Sequence, residues 1–463
     1  MTRRFLPIAM TLLLSLMPLS GVSQEVLVGK MEANNLEVQK AREEWRNALL
    51  DVKDAKAGRG PTIDMTLSGT YMYNPPVGPV YVSTQDLLQQ LSDQGVNVSA
   101  LSGYQDAYLK IYDGMENTLY TFSLNITQPI FTWGKISNAI SLYEKVADVR
   151  SLQITALSRK QKSELLGRLD AVYYLRAMQD LVEEQTETAN RLVEIITSAR
   201  DNGMALDVDV LKASIKAQQT AIGMQQLETE LSSQLVTIQT LCGDPTLTLD
   251  DLSAVVDESA VDALLSQGQD TLIAKATSTS VDNLAILLKL KEVAQLATKI
   301  SSASVNWKPD FALQTTIGYG GSRFPLLETD WYRQDDYTLN FTVAVKSTIW
   351  DGGKKIRDVS RSQTKAEGAE VDYSQAVEKI RSQVITQYLQ LQLDGQKIAY
   401  QNLVIDGDKQ DWEQKQQQQE SGYGSEQDTL TAKLQWQTDR MELLKVLLDR
   451  NSAFHALSYL AGQ

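Results

Sequence analysis

Two aspartates stand at matching places in the chain, Asp209 six residues after Gly203 and Asp428 six residues after Gly422. Each opens a run with apolar periodicity, Leu211 and Ala213 in one case, Leu430 and Ala432 in the other. Carboxylates so placed can do one of two things. In the first turn of a helix they satisfy exposed N–H groups and are favoured by the helix dipole; repeated around a narrow pore they concentrate cations. Spacing alone leaves both open. The remaining reactive side chains are too scattered for catalysis. His455 and Cys242, each the only one of its kind, lie far apart and make neither a zinc site nor a nucleophile pair. Cys242 excludes an internal disulfide and reads as a small buried hydrophobe. Met204, Met224 and Met441 form no cluster suited to a soft metal. The turns at Trp133-Gly134 and Asp351-Gly352-Gly353 lack the spacing and the lysine–hydroxyl pair of a phosphate loop. Gln416 to Gln419, just before Gly422, reads as a polar helix end. No enzyme chemistry, resident metal or cofactor is expected.

The elements that position these residues occur twice. Leu119 to Lys135, L-Y-T-F-S-L-N-I-T-Q-P-I-F-T-W-G-K, and Thr338 to Lys354, T-L-N-F-T-V-A-V-K-S-T-I-W-D-G-G-K, align at an offset of 219 residues, Phe122 with Phe341, Phe131 with Trp350 and Gly134-Lys135 with Gly353-Lys354. Carried on without a gap, the offset brings Gly203 onto Gly422 and Asp209 onto Asp428, the mark of a duplicated structural unit.

Within each unit the pattern changes from period two to helical. Strands are predicted at about 61–73, 119–130, 311–319 and 337–349, where apolar and polar residues alternate. Residues 74–117 contain a short helix-like piece around Asp86 to Leu91 and otherwise read as a long loop or small lid. Helices are predicted at about 24–56, 136–200, 207–241, 270–304, 354–420 and 425–460. The two longest carry a heptad-like seam and would each run about 100 Å. Residues 246–268 read as irregular with one short helix. Arg3, Arg4 and the apolar run Phe5 to Leu19 predict a signal peptide over 1–23.

The chain carries a formal charge of −14, which argues against a nucleic-acid partner. No later stretch reaches the roughly 18 apolar residues of a membrane helix, so a membrane crossing would use the strands. Backbone groups in hydrocarbon must all be paired, and four strands cannot close a barrel. Two copies would supply eight strands with a filled interior, three copies twelve with a bore. Phe131, Trp133 and Trp350 at one end of the strands, and Tyr71, Tyr73, Tyr319 and Trp331 at the other, suit interfacial belts.

With these features in hand, the sequence resembles the TolC family of outer-membrane efflux and secretion channels. The turns I-F-T-W-G-K and I-W-D-G-G-K and the hairpin tips N-G-M-A-L-D-V-D-V-L-K-A and S-G-Y-G-S-E-Q-D-T-L-T-A carry the resemblance. It implies a mainly α fold with a membrane β-barrel part, built from two tandem β-β-α-α repeats at 24–242 and 269–463, with an equatorial segment at 243–268. Each protomer of a homotrimer would give four strands to a twelve-stranded barrel in outer-membrane lipid and long antiparallel helices to a periplasmic tunnel. The implied function is a passive exit duct for efflux or type I secretion, fed by an inner-membrane pump through a periplasmic adaptor. Asn202, Gly203 and Met204, with Ser421, Gly422, Tyr423 and Gly424, would be the docking tips. Asp428, Asp209 and Thr431, the last matching Lys212 of the first hairpin, would line the periplasmic gate. Trp133, Gly134, Trp350, Gly352 and Gly353 would turn the chain from barrel to tunnel. The helical hairpins by themselves also fit a soluble periplasmic adaptor or coiled-coil scaffold.

Overall fold

The computed structural model describes residues 22–462 apart from 102, 104, 253–255, 279–281, 304, 306–307 and 325–336. The signal-peptide expectation and Trp331 lie outside the described residues. In chain order the elements are α1 (Gln24–Asn34), α2 (Leu36–Ala57), β1 (Thr62–Tyr71), β2 (Val80–Ser83), α3 (Thr84–Asp93), β3 (Tyr108–Tyr112), β4 (Thr118–Phe131), α4 (Lys135–Asp201), α5 (Asp207–Cys242), α6 (Glu258–Ser266), α7 (Gln269–Ala276), α8 (Asp282–Ala303), β5 (Asp310–Gly321), β6 (Tyr337–Lys346), α9 (Lys354–Glu420) and α10 (Glu426–Leu460). Both α4 and α9 hold 67 residues. They start and stop at positions 219 apart, so the repeat seen in sequence is a repeat in structure.

The chain divides into two compact units, Asp51–Leu142 with Leu296–Ser362, and Met1–Leu50 with Tyr143–Gln295 and Gln363–Gln463. The first is built on an antiparallel sheet of order β1-β4-β5-β6. Its registers place Met65, Leu124, Ile317 and Leu339 in one row across all four strands, and Asp64, Asn125, Thr316 and Asn340 in the next. Successive rows point to opposite faces, so one face is apolar and the other polar. The polar face is tied laterally: Thr316 Oγ1 donates to Asn125 Oδ1 at 2.8 Å, and the Ser68 and Thr121 hydroxyls lie 2.6 Å apart. Among the described residues much of the apolar face is open, Met65 being 68% and Phe341 70% exposed, while Tyr319 at its end is buried. Pro129, which has no N–H for the ladder, coincides with a register shift between β4 and β5. β6 ends at Lys346 rather than near 349, and Trp350 beyond it is exposed.

At the strand-to-helix turns, Trp133 and Gly134 have φ of 54° and 80°, and the matching Gly352 and Gly353 have 65° and 76°. Trp133 is held in this left-handed region by its ring: Nε1 donates to Pro309 O at 2.9 Å, Phe131 meets it edge-on at 4.8 Å, and Lys308 lies over it. Lys135 closes the turn on Asp310 at 2.8 Å.

Residues 74–117 are more ordered than a loop. β2 and β3 form a separate two-stranded antiparallel ribbon that brackets α3. V-Y-V-S and Y-L-K-I-Y are too short for a periodicity argument, which hid them.

In the second unit the cores repeat as well. Leu165, Val172, Ile238 and Cys242 belong to one buried cluster, and their counterparts at the same offset, Val384, Leu391, Leu457 and Ala461, belong to another. The first also contains Leu27 and Met31 of α1 with Leu247 and Leu252, and the second contains Val261, Leu264, Leu272 and Leu284. Val22 bridges to Leu252, its N–H reaching Asp251 O at 2.8 Å, and Lys30 pairs with Asp244 at 2.7 Å. That contact with Lys30, with help from Thr246, holds the half-buried Asp244 carboxyl down at about 2. The amino-terminal helix and the segment after α5 are thereby one packed element.

Two predicted helices are each broken. Residues 24–56 divide at Asn35, whose side chain accepts from Glu37 and Val38 N–H and donates to Leu241 O, starting a new helix. The helix expected at 270–304 divides into α7 and α8; Thr277 leaves the helical geometry, its hydroxyl bonded back to Ile273 O.

Candidate functional site: the two helix-hairpin tips

Each long helix reverses within a few residues, because the sequence supplies a left-handed residue and a cap in quick succession. At the first tip Asn202 Nδ2 donates to Ser198 O at 2.8 Å, Gly203 takes φ 75°, and Met204 N reaches Ala199 O at 2.8 Å. This doubled closure satisfies the last carbonyls of α4. Asp209 then accepts from Leu206 N–H at 3.2 Å and caps α5, with Lys212 at 4.0 Å from its carboxylate.

At the second tip Gly422 takes φ 77°, and the N–H groups of Tyr423 and Gly424 both reach Gln418 O. A Cβ on Gly424 would come within 2.8 Å of the Gln419 nitrogen, so backbone fills the space a side chain would need. Ser425 starts α10: its hydroxyl accepts from Asp428 N–H at 3.0 Å and donates to Asp428 Oδ2 at 2.6 Å. Asp209 thus bonds the N-cap backbone of α5, whereas Ser425 caps α10 and the Asp428 carboxylate holds the Ser425 hydroxyl. Asp428 is exposed as well, whereas Asp209 is half-buried. Thr431, exposed, bonds back to Gln427 O.

The tips carry large apolar side chains in water. Met204 is 77%, Leu206 68%, Leu211 58% and Tyr423 92% exposed. Behind them Leu192 and Ile196 of α4, Ala213 of α5 and Leu434 of α10 share one buried cluster, so the second hairpin packs on the first.

Residues that carry this packing were not foreseen from sequence. Arg191 on α4 donates through Nε to Glu426 at the start of α10 at 3.0 Å, and through Nη1 to Glu194 at 3.1 Å. Hydrogen bonding to Glu426, then to Glu194, raises the guanidinium pKa further. Thr429, buried, donates to Lys415 O at 3.2 Å and pins α10 to α9. Further along the same pair Trp412 and Trp436 stack at 4.9 Å, with Arg440 over Trp436 at 4.8 Å. Beside them the Asp408 carboxyl hydrogen-bonds to Asp439, which Gln401 and Gln435 hold in place. Asp408 is pushed up to about 6, by the shared hydrogen bond first, then by desolvation and by repulsion from Asp439 and Asp411. Partners such as Arg191 and Glu426, 235 residues apart, leave no local signal.

His455 is part of the packing: its Nε2 lies 2.6 Å from Asp170 Oδ2, which also accepts from Asn451 at 2.6 Å. Cys242 is buried, its Sγ 3.7 Å from Leu27 O. Thus the sequence-predicted tip and gate residues gather at two hairpin ends, and the strand-to-helix turns belong to the other unit.

The sequence profile of the outer membrane efflux protein family matches residues 27–244 and 282–463. The chain belongs to that family. The fold of this efflux protein is similar to the outer membrane protein VceC from Vibrio cholerae, with 15% identity over 95% of this chain and 96% of that one and a TM-score of 0.69. It is similar also to the CmeC outer membrane channel of Campylobacter jejuni, with 12% identity over 95% and 85% of the two chains and a TM-score of 0.70. The open state of the MtrE outer membrane channel of Neisseria gonorrhoeae gives 11% identity, 95% and 88% coverage and a TM-score of 0.68. No curated protein sequence matches. The resemblance read from the turns and tips is borne out: this is an outer-membrane efflux protein, with barrel strands and a helical periplasmic part. Nothing supports the soluble adaptor or scaffold alternative. No helix among the described residues is long and apolar enough to cross a membrane.

Proposed function

We propose that this efflux protein works as a homotrimer, a passive and non-catalytic exit duct whose hairpin tips dock onto a periplasmic adaptor coupled to an inner-membrane pump. The observation that carries the reading is the sheet with two free edges. Among the described residues, in the order β1-β4-β5-β6, β1 and β6 each have one neighbour, and Met65 and Phe341 on the apolar face of these edge strands are exposed. In hydrocarbon such edges must find partners, and three copies pairing β6 to β1 close twelve strands around a bore lined by the polar rows.

The exposed Met204, Leu206, Leu211 and Tyr423 form the apolar surface that a docking partner would cover. Asp428, exposed at the start of α10, is the residue positioned to form a carboxylate ring between copies; half-buried Asp209 and neutral Thr431 contribute less charge. The Arg191–Glu426 contact holds the two hairpins together at rest.

The test is native mass spectrometry of the detergent-solubilised protein, joined to planar-bilayer recording. Three chains per particle and a stable conductance are expected. A particle of one or two chains, or three chains without conductance, overturns the reading.

A further inference from the structure

We infer that the β2–β3 ribbon is a copy-to-copy interface: it packs against a neighbouring copy of this same chain beyond the outer face of the membrane. This rests on the assembly proposed above and adds a contact the sheet edges do not supply.

The ribbon continues the edge of the sheet. β1 and β4 pair from Thr62↔Thr127 to Tyr71↔Thr118. The chain segments beyond stay together, Met72 N–H donating to Asn117 O at 2.6 Å and Met115 N–H to Val77 O at 2.9 Å. The pairing resumes from Val80↔Tyr112 to Ser83↔Tyr108. The ribbon is thus a single arm that extends the β1–β4 pair, of which β1 is an edge strand of the sheet. An arm at that edge stands where the next copy must join.

Its surface is that of a contact. Tyr108 is 72%, Ile111 60%, Tyr81 53% and Leu109 50% exposed. Leu109, paired with Val82, and Tyr108, paired with Ser83, lie on opposite faces of the ribbon. Each face thus presents open apolar side chains, although Ser83 is buried and Val82 half-buried, and a lone two-stranded ribbon is marginal in water. The one charged residue in the two strands, Lys110, is paired with Asp113, so equivalent arms do not repel one another.

Hydrocarbon does not reach this surface. The ten residues of β1, at about 3.3 Å each and tilted by about 45°, rise roughly 23 Å, close to the ~25 Å apolar band of an outer-membrane barrel. Residues 72–79 then carry the chain past that band before β2 begins. α3 above is capped by Ser83, which also donates to Asp106 at 2.7 Å, a polar finish suited to water. Among the described residues no segment of this chain covers Tyr108 or Ile111 at that height, and the adjoining copy is the surface that would do so.

The experiment uses full-length Ile111→Cys protein in outer-membrane vesicles, treated with a short homobifunctional maleimide; native Cys242 is buried and stays silent. Tyr108→Cys is the second variant should the first fold poorly. Chain-to-chain adducts are expected, with mass spectrometry placing the second thiol on the same residue or ribbon of another copy. The heat-labile oligomer on SDS gels reads the assembly separately. An oligomer without adducts, or with adducts only to another protein, overturns this interface and leaves the assembly standing. Absence of the oligomer overturns both.

Discussion

Substituting Asp428 separates two roles held by one carboxylate. Ser425 needs an acceptor at this position, and an asparagine oxygen provides it, whereas a cation attracted to a ring needs the charge. Asp428→Asn should therefore keep the thermal stability of the protein while lowering cation over anion preference, measured as reversal potentials in planar bilayers. Asp428→Ala should lower the preference equally and cost about 0.5–1 kcal/mol through the lost hydrogen bond from the Ser425 hydroxyl. Unchanged selectivity in the asparagine variant would remove the ring. Gly422 makes a different demand, on backbone alone. At φ 77° an alanine is strained by about 1–2 kcal/mol, so Gly422→Ala should lower the melting temperature even though open space surrounds it. Its caps were legible beforehand, since Ser425 to Asp428 spells S-x-x-D. The exposure that distinguishes Asp428 from Asp209 was not, because it depends on which face of each hairpin meets its neighbour.

At the scale of elements, α9 and α10 are joined by a contact that titrates. Asp408, raised from 3.8 to about 6, binds its proton more tightly in the folded hairpin than in the unfolded chain. Its contribution to stability is thus fully present below pH 3.8, falls as pH rises toward 6 and is level above. Asp408→Asn should abolish that fall: the variant should melt higher than the parent at pH 7.5 and alike at pH 3.8 or below, followed by circular dichroism. A parallel shift at both pH values would show that the pair does not titrate with folding. Other parts of these elements could be read directly. The bounds of α4 and α9 followed from Gly134, Gly203, Gly353 and Gly422, because glycine punctuation and a 3.6-residue period agree there. The breaks at Asn35 and Thr277 did not follow. The chain stays amphipathic across Asn35, and it is the carbonyl of Leu241, 206 residues away, that makes use of its side chain. The β2–β3 ribbon was missed for the opposite reason, strands too brief to declare a period.

For the whole molecule the decisive property is a sheet with one polar face and one apolar face that is largely open among the described residues. Leu339 and Asn340 are neighbours in β6 on opposite faces. Leu339→Lys puts a charge toward lipid, which costs up to about 2–4 kcal/mol at the bilayer midplane and less toward the interfaces, and should reduce outer-membrane assembly, read by heat-labile oligomer in membrane fractions. Asn340→Lys on the bore side should assemble normally and shift conductance. Equal effects of the two lysines would mean that the faces are assigned wrongly.

The seating of α1 against the segment after α5 also sets an order of events in time. Leu27 and Met31 leave the ribosome early, but Cys242, whose thiol meets the Leu27 carbonyl, follows 215 residues later. At about 5–20 residues per second, the interval is roughly 10–40 s. Throughout it, two side chains that end at 0% exposure have no native surface to bury against. Such a helix is a natural client for a holding chaperone, and its docking cannot precede the arrival of α5.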